Sequence, residues 1–503
     1  MKRTATLLLA LLLAASSIMS VSCSESDKTD GATTTAAPVD TTPVETEEPR
    51  IEPDLPDITF DGADIKFYQY RNSDTYPYFH EIWVEDQNGE PINDAVYKRN
   101  SLIEERYQTK ITFTEDEYIT FMNNVKKNVS ASENVHDVIL PMGHCVAHMY
   151  TSNVFYNLHA IEYLDFEKPW WDQDALEAFT LADYMPFAVS DLLVNAKSVT
   201  STVLFNKKLA DDYQVGNLYD EVYNNTWTIE TMINKGKMVS EDLNGDSNYD
   251  DEDRYGIVCG DDPVTALFAS VGGRIVSKDA DGYPVLSFAN EYNYTAIQYY
   301  LENLMYDERL TRNNSFVPNS KGSTDMFKDN QGLFLFGSLS TTQSMREMEA
   351  DFGVLPVPKY TVEQDYACSV SPFAGSLIAV PITTQNTEMI GVIVEAMSAE
   401  SKYTVVPALY DTVFKDKSTR DEESVDMLDI IFDSMTFDVG DYYGLAGFQD
   451  VFLRITGSVY ENNVDKSYPQ QTSDIASFYA KHEKKLNKAL EDLIETIDEW
   501  KGM

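Results

Sequence analysis

The sequence predicts an α/β fold of more than one lobe, on three observations. Strand-like runs and helical stripes alternate from residue 64 onward. The folded part, about 445 residues from 57 to 503, exceeds what one core usually serves. Hydrophobic residues make up 43% of the chain, enough to fill more than one core.

The elements follow in order. Asp64 to Tyr70 (DIKFYQY) reads as a strand, and Tyr76, Tyr78, Phe79 and Trp83 crowd the loop after it. Asn93 is placed as the N-cap of a helix through Tyr107, with Val96, Asn100, Ile103 and Tyr107 on one stripe. Lys110–Thr114 and Val135–Leu140 read as the next strands, so the first lobe predicts a largely parallel sheet. Val199–Phe205 is a β-branched strand, and Trp227–Ser240 a helix. Ala296–Tyr306 is helical; Gly332–Gly337 is a buried strand; Phe352–Val357 and Ser376–Pro381 are further strands. The chain ends in helices, the last capped by Ser473, with Ile475, Phe478, Leu486, Leu490, Leu493, Ile497 and Trp500 mostly on one face. There is no internal repeat.

The first 56 residues have another character. Lys2 and Arg3 precede an apolar run, Leu7 to Ala15, too short to span a bilayer, and small residues follow. Residues 1–22 therefore read as a secretory signal peptide. Met19-Ser20-Val21-Ser22-Cys23 resembles a bacterial lipobox, although Ser20 stands where an aliphatic residue is usual. That resemblance implies diacylation of Cys23, with each buried methylene contributing roughly 0.8 kcal/mol to membrane anchoring. Residues 23–56, rich in Thr, Pro, Asp and Glu, read as a disordered tether. The expected location is the outer face of the cell membrane, lipid-anchored, in a Gram-positive bacterium.

Net charge is −45, which argues against nucleic acid and against a basic membrane-binding face. Aromatics reach 12%, with 31 Tyr, a side chain that packs and hydrogen-bonds at binding surfaces. Cys145, Cys259 and Cys368 are odd in number and at no motif spacing, so no disulfide framework is predicted.

Five segments in sequence resemble the family 1 extracellular solute-binding proteins of ABC importers, the maltose-binding-protein-like group. They are the lipoprotein head; Thr202-Val-Leu-Phe-Asn-Lys-Lys-Leu209; Asn225-Thr-Trp-Thr-Ile-Glu230; Asp325-Met-Phe-Lys328 with Gly332–Gly337; and Phe352-Gly-Val-Leu-Pro-Val-Pro-Lys359. Pro169-Trp-Trp-Asp172 is similar to a subgroup of such lipoproteins. The resemblance implies a two-lobed periplasmic-binding-protein-like fold (type II) with a ligand cleft between lobes and a helical C-terminal region. Lobe 1 would span 57–199 plus 354–378, and lobe 2 would span 204–351 plus 382–503. It implies a monomer that captures a carbohydrate without catalysis and passes it to membrane permease subunits.

The acidic loop from Asp242 to Asp253 places oxygen side chains at positions one, three, five, nine and twelve of a calcium-loop spacing. Asp242, Asn244, Asp246, Asn248 (through its carbonyl), Asp250 and Asp253 are the candidate ligands of one structural calcium ion. Gly at position four, Ser247 at six and Asp at twelve depart from the EF-hand. A solvated acidic turn is the plainer alternative.

Sugar sites combine aromatic faces with carboxylates, amides and Arg. Candidates where the implied cleft would lie are Arg71, Tyr76, Tyr78, Met142, His144, Ser201, Asp261, Asp262, Phe268, Ser338, Ser340, Phe373, Tyr442 and Tyr443. Trp170 and Trp171 join them, although adjacent Trp residues are as often packing. Each of these also reads as core or ordinary loop. Three rival readings compete with this one. A zinc protein would use His144 and His148, but no third ligand is visible. A secreted carbohydrate-active hydrolase would need a catalytic signature, and none stands out. A surface adhesin would have rigid lobes and no small-molecule cleft.

Overall fold

The computed structural model describes residues 50–71, 79–314, 320–414, 422–456 and 471–502. Cys23, Tyr76 and Tyr78 lie outside the described residues, as does the signal and tether reading. Among the described residues no helix is long and apolar enough to cross a membrane.

The strands are β1 (Ala63–Arg71), β2 (Thr109–Glu117), β3 (Val138–Leu140), β4 (Ser201–Asn206), β5 (Tyr255–Cys259), β6 (Val276–Lys278), β7 (Pro284–Leu286), β8 (Thr311–Asn313), β9 (Gly332–Ser338), β10 (Phe352–Leu355), β11 (Cys368–Ser369) and β12 (Met435–Thr436). They form a three-stranded sheet in the order β2-β1-β3, a five-stranded sheet in the order β10-β4-β9-β5-β8, and two small pairs. The first sheet is parallel throughout, as its strand–helix–strand sequence predicts. Ile65, Phe67, Tyr68, Tyr70 and the whole of β3 are buried, because helices cover the sheet. In the second sheet β5 runs parallel to β8 and β9, and β4 runs antiparallel to β9 and β10. Apolar side chains of both sheets join one continuous core. Residues from Ile51 on gather into one compact unit.

Several boundaries differ from expectation for local reasons. The first helix runs Pro91–Tyr107 with Glu90 at its N-cap, since proline suits the first helical position. Asn93 falls inside the first turn, its amide donating to the Asp86 carbonyl at 2.8 Å. The last helix runs Ile475–Lys501 and is capped by Asp474, which accepts from the Ser477 amide at 3.0 Å, not by Ser473. Residues 376–381 are extended but form no continuous strand. Consecutive residues pair to different partners: Ile378 with Ala188, Ala379 with Ile139 of β3. The Thr387–Phe414 helix lies along the Pro91–Tyr107 helix of the first sheet, with Arg99 Nη1 donating to Ser401 Oγ at 3.1 Å.

Candidate functional site

The carboxyl ends of parallel strands are where open α/β sheets place ligands, because loops there diverge around a crevice. In the first sheet that edge carries Arg71, Glu117 and the turn Pro141–Gly143. In the second, the register Ser201↔Ser338 puts the start of β4 beside the end of β9, and Asp261 and Asp262 follow the end of the parallel neighbour β5. One segment ties the two edges together. Val370 bridges Thr200 and Ser376 bridges Met142, so residues 370–376 run from one sheet's carboxyl edge to the other's. Tyr70 donates its hydroxyl to the Ala374 carbonyl at 2.6 Å, and the His144 amide donates to the Pro372 carbonyl at 3.0 Å. Gly143 is needed at this join: a Cβ there would lie 2.7 Å from both the Pro372 side chain and the Tyr442 ring.

At the second edge the side chains are small and hydroxylic. Ser201 Oγ and Ser369 Oγ are 2.9 Å apart, and Ser338 Oγ and Ser340 Oγ are 2.7 Å apart. Asp262 is solvent-accessible yet surrounded by protein mass. That crowding, with Asp261 beside it, pushes its carboxyl up to about 6. Beside this edge a depression is lined by Thr265, Phe268, Arg274, Ser369, Asp438 and Asp441. Asp438 accepts from the backbone amides of Ile275, Val276 and Gly440. The buried Oδ1 of Asp441 has no hydrogen-bond partner. Burial, then the Asp438 charge, pushes the Asp441 carboxyl well up, with Arg274 opposing.

The first edge supplies rings. His144 lies between Phe373 (centroids 5.7 Å) and Tyr118 (5.9 Å), and its ring meets His148 edge-on at 4.9 Å. Phe373 is 36% exposed and Tyr118 38%, so both present ring surface to solvent. Partial burial and then His148 hold His144 below the usual histidine range, with Asp450 opposing. A neutral imidazole both donates and accepts hydrogen bonds. Arg71 pairs with Glu117 at 2.9 Å, both side chains about half exposed.

Of the residues singled out in the sequence, Arg71, His144, Ser201, Asp261, Asp262, Ser338, Ser340 and Phe373 stand at these two edges. Met142 is buried and paired to Ser376. Phe268 is buried against Phe288 and Phe452 at the back of the depression. Tyr442 and Tyr443 are core residues: Tyr442 packs on Phe179 and donates to the Val370 carbonyl, and Tyr443 packs on Tyr150. Trp170 and Trp171 are 1% and 3% exposed, and their indole N–H groups donate to the two oxygens of Glu395 at 3.0 and 2.9 Å. Tyr118, Thr265, Arg274, Ser369 and Asp441 were not singled out. Only tertiary pairing brings them here, since they come from four separate stretches of chain.

The acidic loop folds on itself. Asp242 accepts from the amides of Gly245 (2.6 Å) and Ser247 (2.8 Å), and Asp253 from those of Leu243 (2.8 Å) and Asp250 (2.9 Å). Among the described residues no group of three or more His, Cys, Asp or Glu side chains is gathered as a metal ion would require.

No protein-family model matches the chain. No curated protein matches it either. Solved structures do match. An ABC substrate-binding protein of Listeria monocytogenes in complex with cycloalternan is 12% identical, with a TM-score of 0.52 over 87% of this chain and 100% of that one. The GacH receptor of Streptomyces glaucescens, solved unliganded and with acarbose, is 14% identical, with a TM-score of 0.52 over 85% and 99%. UspC of M. tuberculosis is 12% identical, with a TM-score of 0.52 over 86% and 100%. This chain therefore has the two-lobed α/β fold of periplasmic-type binding proteins, which the order of its motifs implies.

Proposed function

We propose that this protein is the substrate-binding lipoprotein of an ABC importer, anchored through Cys23, that captures a carbohydrate and delivers it to a membrane permease. The observation that carries the reading is the facing of two sheet edges through residues 370–376. Rings at one edge (exposed Phe373 and Tyr118, with the half-buried His144 between them) complement the apolar faces of a pyranose. Serine hydroxyls, Asp262 and Asp441 at the other complement its hydroxyl groups. The fold neighbours solved with cycloalternan and acarbose support a glycan as ligand. The site binds and releases, so the protein acts as a receptor, not an enzyme. Thermal melts with mono- and oligosaccharides test this. A sugar at 100 times its dissociation constant should add about 2.7 kcal/mol of stability, and the sugar should be recovered unaltered. Hydrolysis of the added oligosaccharide would overturn the reading in favour of a secreted hydrolase.

Calcium in the 242–253 loop is a separate proposal. The donor set is all oxygen, which suits a hard cation. Each carboxylate oxygen that accepts a loop amide keeps a further lone pair for a metal. Calcium at millimolar concentration should raise the melting temperature, and Asp246→Ala should abolish the rise. No calcium dependence in the unaltered protein would leave the loop as a self-capped turn.

A further inference from the structure

Next to the depression, with Met435 lining one and Thr436 the other, a cavity of about 480 Å³ opens between the Trp170–Asp174 stretch, Asp191, the two lysines Lys197 and Lys402, and the end of the Glu422–Asp433 helix. Its volume is within the range of small-molecule sites. Its walls are already ordered. Glu395 fixes both indoles, Asp172 caps the Gln173–Phe179 helix through the Ala175 amide at 2.8 Å, and Lys197 lies over the Phe432 ring at 4.9 Å.

The polar groups on these walls are incompletely used. Asp191 is nearly buried and receives both lysines, Lys197 at 3.2 Å and Lys402 at 3.9 Å, the second too long for a hydrogen bond. An ammonium has three donors, so both lysines keep donors to spare. Asp172 uses one oxygen on the Ala175 amide, and the side chain of Asp433 makes no hydrogen bond or ion pair among the described residues.

This mixture selects by elimination. An anion would meet Asp172, Asp433 and Asp174. A cation would meet Lys168, Lys197 and Lys402. A neutral polyhydroxylated molecule meets neither penalty: its hydroxyls accept from the ammonium groups and donate to the carboxylates. We infer that this cavity is a second carbohydrate site, sized for a mono- or disaccharide and distinct from the cleft between the sheet edges.

The test is saturation-transfer NMR on the full chain with glucose, galactose, mannose, xylose, maltose, cellobiose, lactose and sucrose. Three proteins are compared: the unaltered chain, a cleft variant (His144→Ala with Phe373→Ala) and cavity variants (Lys402→Ala and, separately, Asp433→Asn). Circular dichroism melts confirm that each is folded. At least one sugar is expected to keep its signal in the cleft variant and to lose at least fivefold in affinity in both cavity variants. If every sugar that binds is lost in the cleft variant and retained in the cavity variants, the inference is overturned and the receptor reading stands. A sugar held only by the cavity would leave the inference standing and remove the cleft from the proposed function. No transfer from any of the eight sugars would overturn the second site.

Discussion

Trp227→Ala is expected to cost about 3–5 kcal/mol of stability through the lost ring and the cavity it leaves. A further ~1 kcal/mol would come from an orphaned carbonyl. Trp227 is fully buried, packs against Phe334 of β9 at 5.5 Å, and donates its indole N–H to the Pro356 carbonyl at 2.8 Å. Its own backbone completes a splice. The Lys359 amide donates to the Trp227 carbonyl, and the Ile229 amide donates to the Lys359 carbonyl at 2.8 Å. One side chain therefore fixes both the start of the Ile229–Lys237 helix and the exit of β10. Urea unfolding of the variant measures the loss. A cost below about 2 kcal/mol would mean that the neighbourhood collapses onto the gap far better than such sites usually do. Trp227→Phe should recover part of the packing but not the hydrogen bond.

The second large effect is a stability that falls as pH rises from mildly acidic to neutral. Glu81 and Glu395 are both buried, and burial above all pushes each up to about 7 from an ordinary 4.5. A carboxyl raised in the folded state holds its proton there while the unfolded chain has already lost it. Its contribution is complete below about 4.5 and disappears as pH climbs through about 7. Each shift of this size corresponds to about 3 kcal/mol at most. His136 works the other way. Burial holds it down to about 4, so its contribution grows with pH between about 4 and 6.5 and offsets part of the loss at the acid end. The net fall should therefore be steepest above pH 6. Urea titrations at pH 5, 6 and 7.5 measure it, and Glu395→Gln should flatten the profile even if it lowers stability throughout. An unchanged pH slope in that variant would show that Glu395 does not titrate in this window.

Local pattern told much of the fold. The order of DIKFYQY, KITFT and VHDVIL with helices between them marks a parallel sheet, and the β-branched run before Asn206 marks β4. These segments are legible because burial on both faces selects apolar residues over a short run. The capping positions shifted by a few residues because several cap-competent side chains stood in a row, as at Ser473 and Asp474. The extended 376–381 segment read as a strand because its composition is that of one; its pairing to two different partners is invisible without the third dimension.

The candidate site was only partly legible, for a related reason. Serines following a buried strand, such as Ser338 and Ser340, could be anticipated because parallel sheets end at a crevice. Aromatic residues could not be sorted in this way. Phe373 and Tyr442 look alike in sequence, yet one presents its ring at the edge and the other is sealed against Phe179. Trp170 and Trp171 invited a ligand reading, but the acceptor that holds both, Glu395, lies over two hundred residues away.

The three thiols draw a last consequence from burial. Cys145, Cys259 and Cys368 are free and buried, in the helix after β3, at the end of β5 and in β11 just before the segment that joins the sheets. Burial pushes the Cys145 thiol up to about 12, and the other two are also raised, so none is a ready thiolate. A thiol-specific alkylating reagent can then react only through transient openings of the chain. Each cysteine becomes an internal clock for its own region, and the order in which the three are labelled ranks how often each region opens.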